Sequence, residues 1–321
     1  MSSARLLPII AIVGPTSSGK STLAVMLAKK CNGEVVSVDS RQIYRGLEIT
    51  SGAVTKKEAK GVPHYLIGIA SPKRTFTAAQ FRTHARHAIR RIIRKGKIPI
   101  LCGGTGFYLD AILADTPFAP VPPNTALRKT LAVKPTAELV RLLADADPVR
   151  AKKIDQQNRR RLIRAIEIAL TPAAAPKREV ALPPLRMLKI GIALPKELLR
   201  QRIVQRAASR LRRGMVREIQ KLREAGISWR RLEALGMECR LISFYLRGIL
   251  TKPELARLII RENLRYAKRQ MTWWRRDAAI HWVANQKQAQ DLAARWLQTT
   301  TPLHQGARKS GRGGGWGRLS L

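Results

Sequence analysis

The chain has 321 residues, enough for one large domain or two ordinary ones, and at 45% hydrophobic it can bury a core, mostly aliphatic because aromatics are only 5%. Lysine and arginine number 61 against 21 acidic residues, a formal net charge of +40; such a chain repels itself and attracts polyanions, and nucleic acid is its natural partner. Cys31, Cys102 and Cys239 form no Cys-x-x-Cys pair and the five histidines have no ligand spacing, which argues against a disulfide framework and a structural zinc.

The opening LLPIIAIV is too short to span a membrane and runs straight into a glycine loop. It reads as a core strand, not a signal peptide, and a soluble cytoplasmic protein is expected. Five runs read as buried strands: Leu7–Val13, Glu34–Val38, Ile98–Cys102, Leu188–Leu194 and Ala279–Val283. Helical patterns separate them, which implies a parallel sheet covered on both faces. The first helix follows Lys20 and carries Leu23, Leu27 and Ala28 on one side. Thr77–Arg94 is another, with Phe81, Ala85, Ala88, Ile89 and Ile92 inward, Arg86, Arg90, Arg91 and Arg94 outward, and Gly96 as its stop. The proline-rich Thr116–Pro123 and Thr171–Leu185 bracket a block of helices only. Residues 116–185 therefore read as a helical insertion that splits a core into residues 1–115 and 186–300. The stretch Lys196–Arg276 is helical and basic, and 301–321 reads as a disordered cationic tail.

Gly14-Pro15-Thr16-Ser17-Ser18-Gly19-Lys20-Ser21 satisfies GxxxxGK[ST] between a strand and a helix. Glycines permit the tight loop, its N–H groups converge on phosphate oxygens, and the helix start adds a favourable field. Lys20 neutralises phosphate charge, and the Ser21 hydroxyl is placed to hold Mg²⁺. A nucleotide is the default ligand, and any diphosphate fits the same cradle. Asp39 ends the second strand, at the sheet edge where ligands bind. General base, metal ligand, and cap or turn residue are all open readings for it. Gly103-Gly104-Thr105-Gly106 follows the strand IPILC at the same edge; it offers a hydroxyl, and a tight turn explains it equally well. Neither the third nor the fourth strand ends in the aspartate of an ATP hydrolase, which tilts the reading away from a motor or helicase.

Taken in order, GPTSSGKS, VVSVDSRQIYRGLEITSGA, PHYLIG, GGTGFYLDAIL, NRRRLIRAIEI and YAKRQMTWWRR resemble the tRNA dimethylallyltransferase (tRNA isopentenyltransferase) family. The resemblance runs from about Ile9 to Val283. It implies an α/β, P-loop NTPase-like parallel sheet with an inserted all-helical tRNA-binding domain. It implies transfer of a dimethylallyl group from dimethylallyl diphosphate to N6 of the adenosine 3′ of the anticodon, with Mg²⁺, by a monomer. On this resemblance the loop Gly14–Ser21 holds the donor's diphosphate and not ATP for hydrolysis, helped by Arg206 or Arg202. Asp39 is the base that takes the N6 proton, and Thr105 sits beside the flipped adenine and the leaving group. Asp39, Ser40, Arg41 and Gln42 line the adenine's opening. The matching tRNA contacts are Thr105, Arg128, Arg160, Arg161, Arg164, Arg240 and Lys268. The chain departs from the family at Ile154–Asp155–Gln156–Gln157–Asn158, where IHPND is frequent, and at Cys239, where an aromatic is common. A tail without a Cys/His pair looks like the bacterial form.

Two other readings stand beside this one. A small-molecule P-loop kinase explains GPTSSGKST but not the charge or NRRRLIRAIEI. A noncatalytic RNA-binding protein explains the charge but leaves the loop and Asp39 unused. The arginine stripes Arg86–Arg94, Arg200–Arg231 and Arg257–Arg276 suit electrostatic steering of RNA as a set. Trp273, Trp274, Tyr44 and Phe107 read as packing residues.

Overall fold

The structure, a computed structural model, describes residues 6–116, 118–172 and 180–299. The tail expected at 301–321 lies outside the described residues. Six strands form one sheet: β1 (Leu7–Val13), β2 (Gly33–Ser37), β3 (His64–Tyr65), β4 (Ile98–Cys102), β5 (Leu185–Ile192) and β6 (Ile280–Val283). Their spatial order is β3-β2-β4-β1-β5-β6 and every pairing is parallel.

The central strand explains the arrangement. Ile9, Ala11, Ile10 and Ile12 of β1 point to alternate faces and are all fully buried, so helices must cover both. On one face Ile10, Ile12, Val35, Ile100 and Ile190 pack against Leu23 and Leu27 of helix Lys20–Lys30 and against Ala289 and Ala293 of helix Gln286–Gln298. Helix Ala78–Arg94 packs on β2 and β4 through a stripe of buried Phe81, Ala85, Ile89 and Ile92. Thr77 starts it with a reciprocal capping box to Gln80. Its outward arginines divide: Arg90, Arg91 and Arg94 are exposed, whereas Arg86 is buried and its Nε donates to the Ile112 carbonyl at 3.0 Å. Strand β3 escapes a sequence reading because two residues carry no periodicity. Among the described residues no helix is long and apolar enough to cross a membrane.

The chain divides into two compact units, one built from residues up to 112 and from 182 on, the other from 113 to 181. The second contains helices Thr125–Val133, Thr136–Ala146, Pro148–Lys153 and Arg159–Ala169. Asn124, Asp147 and Asn158 each cap the helix they precede. Leu131, Leu139, Leu143, Leu162 and Ile166 form its own core.

Candidate active site

The chain leaves β1 at Gly14, whose φ of 134° and close approach to β5 admit no side chain: a Cβ there would lie 3.1 Å from the Ile192 carbonyl oxygen. Ser17 and Gly19 also have positive φ, 63° and 95°, which curls the loop back on itself. Gly19 caps helix Lys20–Lys30 without a side-chain bond, so the helix's first N–H groups face the hollow of the loop. The Lys20 ammonium donates to the Pro15 carbonyl at 2.5 Å. Burial pulls its pKa down to about 8; Cys102 and Asp39 nearby resist this, and Arg206 reinforces it. Ser21 follows, with its side chain beside the Cys102 thiol.

Two arginines of helix Lys196–Arg212 close over this loop, one helical turn apart. Arg206 Nη1 donates to Thr16 Oγ1 at 3.3 Å, and its Nη2 to the Gly52 carbonyl at 3.0 Å. Arg202 Nη1 reaches the Ser18 carbonyl at 3.5 Å. Lys20, Ser21, Gly52, Lys60, Arg202 and Arg206 line a cleft of about 940 Å³. The sequence left Arg202 and Arg206 as alternatives; the structure brings both to the cleft.

A second, smaller pocket of about 230 Å³ lies alongside, lined among others by Thr16, Asp39, Arg41, Glu238, Tyr266 and Arg269. Thr16 is common ground, since its hydroxyl takes the bond from Arg206 at the cleft. Asp39 Oδ1 accepts from the Arg41 N–H at 2.8 Å, an Asx turn. Thr105 Oγ1 accepts from the Ser40 N–H at 3.2 Å, and the Thr105 N–H donates to the Val38 carbonyl at 3.3 Å. These bonds tie the ends of β2 and β4 together. Gly103 makes that approach possible, because a Cβ there would lie 1.9 Å from the Val38 oxygen. The phenol of Tyr266 meets the Thr105 side chain; burial pushes its pKa up, and the charge of Asp39 adds to this.

The site also uses residues the sequence reading passed over. The four-residue helix Glu48–Ser51 forms a wall of the smaller pocket through Thr50 and Ser51, and its C-cap Gly52 lines the larger cleft. Glu218 accepts from the Ile49 and Thr50 N–H groups at 2.8 and 2.7 Å. Arg210, buried and paired with Glu238, donates to the Ile49 and Thr50 carbonyls. So short a helix needs such anchors at both ends. Charged residues at buried positions of a helix were the available signal.

Of the expected RNA contacts, Arg41, Arg240 and Lys268 are exposed on the first unit, and Arg160 and Arg161 on the second. Gln42 instead serves the wall: it accepts from Ser37 Oγ at 2.8 Å and donates to the Gly52 carbonyl at 3.5 Å. Arg128 and Arg164 close on Glu167, which is wholly buried and which they hold down to a pKa of about 2 against the opposing effect of burial. Trp274 and Tyr44 are buried as expected. Phe107 is not a packing residue; it is 48% exposed, because it falls on the outer side of helix Gly106–Leu113.

The sequence pattern of the family described as IPP transferase matches residues 42–277. A tRNA dimethylallyltransferase 2 of Treponema denticola is 40% identical over 283 residues, 85% of this chain and 95% of that one. A tRNA dimethylallyltransferase of Thermomicrobium roseum is 39% identical over 284 residues, 86% of this chain and 85% of its own length. Among solved structures, the tRNA isopentenylpyrophosphate transferase of Bacillus halodurans superposes with a TM-score of 0.69 at 33% identity, covering 93% of this chain and 98% of that chain. A eukaryotic dimethylallyltransferase shares the fold, with a TM-score of 0.74 at 23% identity over 93% of this chain and 81% of its own. The fold, the phosphate loop and these relatives agree: the chain belongs to the IPP transferase family, the tRNA dimethylallyltransferases.

Proposed function

We propose that this chain moves the dimethylallyl group of dimethylallyl diphosphate to N6 of the adenosine immediately 3′ of the anticodon in tRNA, acting as a cytoplasmic monomer. The observation that carries the reading is the pair of adjoining compartments with opposite chemistry. The larger is a cationic phosphate cradle, and the smaller presents the Asp39 carboxylate, with the Thr105 hydroxyl fixed behind its lining residue Ser40. A transferase needs both, with the reacting carbon between them.

The donor's diphosphate sits in the loop Gly14–Ser21, against Lys20, Arg202 and Arg206. Its C1–O bond breaks while the bond from C1 to N6 forms, and the electrons of the broken bond leave on diphosphate. Cations and loop N–H groups already aimed at the cradle stabilise that growing charge without reorganising. An exocyclic amine is a poor nucleophile until its proton has somewhere to go, and the Asp39 carboxylate accepts it. The Thr105 hydroxyl, held by the Ser40 N–H, orients the reacting groups. The adenine reaches this interior pocket by leaving its stack.

A hydroxyl at the helix start beside a phosphate cradle also fits Mg²⁺, an ion bound largely through phosphate oxygens. Ser21 would hold it, and it would add charge neutralisation. The exposed Arg41, Arg240, Lys268, Arg160 and Arg161 are proposed to meet tRNA phosphates of the anticodon stem-loop.

The test is transfer of radiolabel from dimethylallyl diphosphate to unmodified tRNA carrying adenine next to the anticodon, with ATP present as a competitor. Label in N6-modified adenosine is the expected result. No label, with ATP consumed on a small alcohol instead, would replace this reading with a kinase.

A further inference from the structure

Helix Lys252–Trp274 carries Asn263, Tyr266, Gln270 and Trp273 at spacings of three, four and three, one stripe of a helix face. In a helix that only filled space this stripe would be aliphatic. Here each member meets a different part of the site. Asn263 Nδ2 reaches Glu238 Oε1 at 3.3 Å, the carboxylate that also pairs with Arg210. Tyr266 meets the Thr105 side chain. Trp273 lies over Gly106, where a Cβ would stand 2.1 Å from the indole.

Gln270 is the centre of the stripe and is 5% exposed. Its Oε1 accepts from the Thr16 N–H at 2.7 Å, and its Nε2 donates to the Gly104 carbonyl at 2.9 Å. One end of the amide therefore holds the phosphate loop and the other holds the turn that presents Thr105. The two loops follow β1 and β4, neighbours in the sheet, yet among the hydrogen bonds between described side chains and backbone only this residue joins Thr16 to Gly104. An amide carries an acceptor and a donor on one rigid plane without a charge, which suits it to bridge an N–H and a carbonyl.

We propose that Gln270 is a positioning residue for the transfer, a fixed spacer that sets the distance between the diphosphate cradle and Thr105. It touches no reacting atom in this account. The inference rests on the prenyl-transfer reading of the site and adds to it a residue that acts through Thr16 and Gly104. Reaction rates respond steeply to such spacing: a misplacement of about 1 Å can cost about 10²-fold. Donor binding does not, because the phosphate loop, Lys20 and the arginines remain.

The experiment compares the full chain with Q270M, which keeps the side chain's length and removes both hydrogen bonds. Transfer from dimethylallyl diphosphate to tRNA gives kcat and KM, and calorimetry with inorganic diphosphate gives the affinity of the cradle. Expected is a loss of about 10²-fold in kcat with donor KM and diphosphate affinity unchanged. The G104A variant offers an independent route, since its Cβ would lie 1.9 Å from Gln270 Nε2 and must push the amide aside; it should reproduce the loss even where Q270M fails to fold. In a T105A background, Q270M should add little, because the two act through one loop. Full kcat in Q270M, or losses of Q270M and T105A that multiply, would overturn the proposal. So would parallel losses of kcat and diphosphate affinity. A wild-type chain that labels no tRNA would instead refute the reading of the site on which the proposal rests.

Discussion

Asp39→Asn isolates the chemistry of the proposed base from its structural work. In the structure Asp39 already makes a turn bond, Oδ1 accepting from the Arg41 N–H at 2.8 Å, and Oδ2 has no hydrogen-bond partner among the described residues. Asparagine keeps an oxygen at the first position and replaces the second with an NH₂ that cannot take a proton. The turn should survive and the base should not. Loss of a general base costs roughly 10²–10⁴-fold in rate, which is about 3–5 kcal/mol of barrier. Asp39→Ala loses the same rate and also the turn bond, worth about 1 kcal/mol of stability. Single-turnover transfer to tRNA measures the first effect and thermal melting the second. Should D39N transfer the prenyl group within about threefold of wild type while D39A merely melts earlier, Asp39 is a turn residue and the assignment fails.

Two further outcomes concern the cradle. Burial lowers the Lys20 ammonium from 10.5 to about 8, so raising pH through about 8 discharges it in the free protein. Diphosphate affinity should fall above that point, and K20M should bind weakly, by at least about tenfold, with no such fall, as calorimetry across pH will show. The stability effect has the opposite sign: between about 8 and 10.5 the unfolded chain still holds this proton, so the group alone makes stability rise with pH there. Gly52→Ala places a Cβ 2.1 Å from Arg206 Nη2 at a φ of 63°, at about 1–2 kcal/mol of backbone cost, and should raise donor KM about tenfold while leaving tRNA affinity unchanged in a binding titration.

Much of the site was legible because it sits where a parallel sheet must put it. Gly14, Asp39 and Thr105 end three runs of aliphatic residues, and runs buried on both faces announce themselves as parallel strands whose carboxyl ends share one edge. The phosphate loop added a pattern with its own mechanism. What stayed hidden depends on contacts distant in sequence. Gln270 meets Thr16 and Gly104 across 254 and 166 residues; its place in YAKRQMTWWRR marked the Lys268–Arg269–Gln270 stretch as facing RNA or diphosphate, and nothing near it in the chain shows that its amide joins two loops. The glycines of Gly103–Gly106 read as a turn; their actual partners, Val38, Gln270 and Trp273, lie on other elements. Arg210 falls in the stripe Arg200–Arg231 that reads as steering RNA, and only the tertiary structure shows it and Glu218 gripping the backbone of a helix too short to stand alone.

The arginines of NRRRLIRAIEI show the same limit and yield a sharper test. Read as a motif, Arg160, Arg161 and Arg164 are one cationic cluster. Folded, they separate by helical angle. Arg160 and Arg161 are exposed, while Arg164 stands three residues before Glu167 and shares its buried carboxylate with Arg128. The Asn124 N–H adds a third bond to that carboxylate at 2.6 Å. R160A/R161A should therefore weaken tRNA binding without lowering the melting temperature, and reduce the salt slope by about two. Glu167→Gln should do the reverse. It leaves two arginines facing a neutral amide, and since both reach solvent the cost falls to about 2–3 kcal/mol, below that of a fully enclosed pair. The carboxylate is held at about 2, so its contribution is present above the ordinary range near 4.5 and is lost as pH falls toward 2. E167Q should abolish that acid dependence, as melting at pH about 3 and about 6 will show. If R160A/R161A instead lowers the melting temperature and E167Q instead flattens the salt slope, the division of this helix into a structural and an RNA-facing side is wrong.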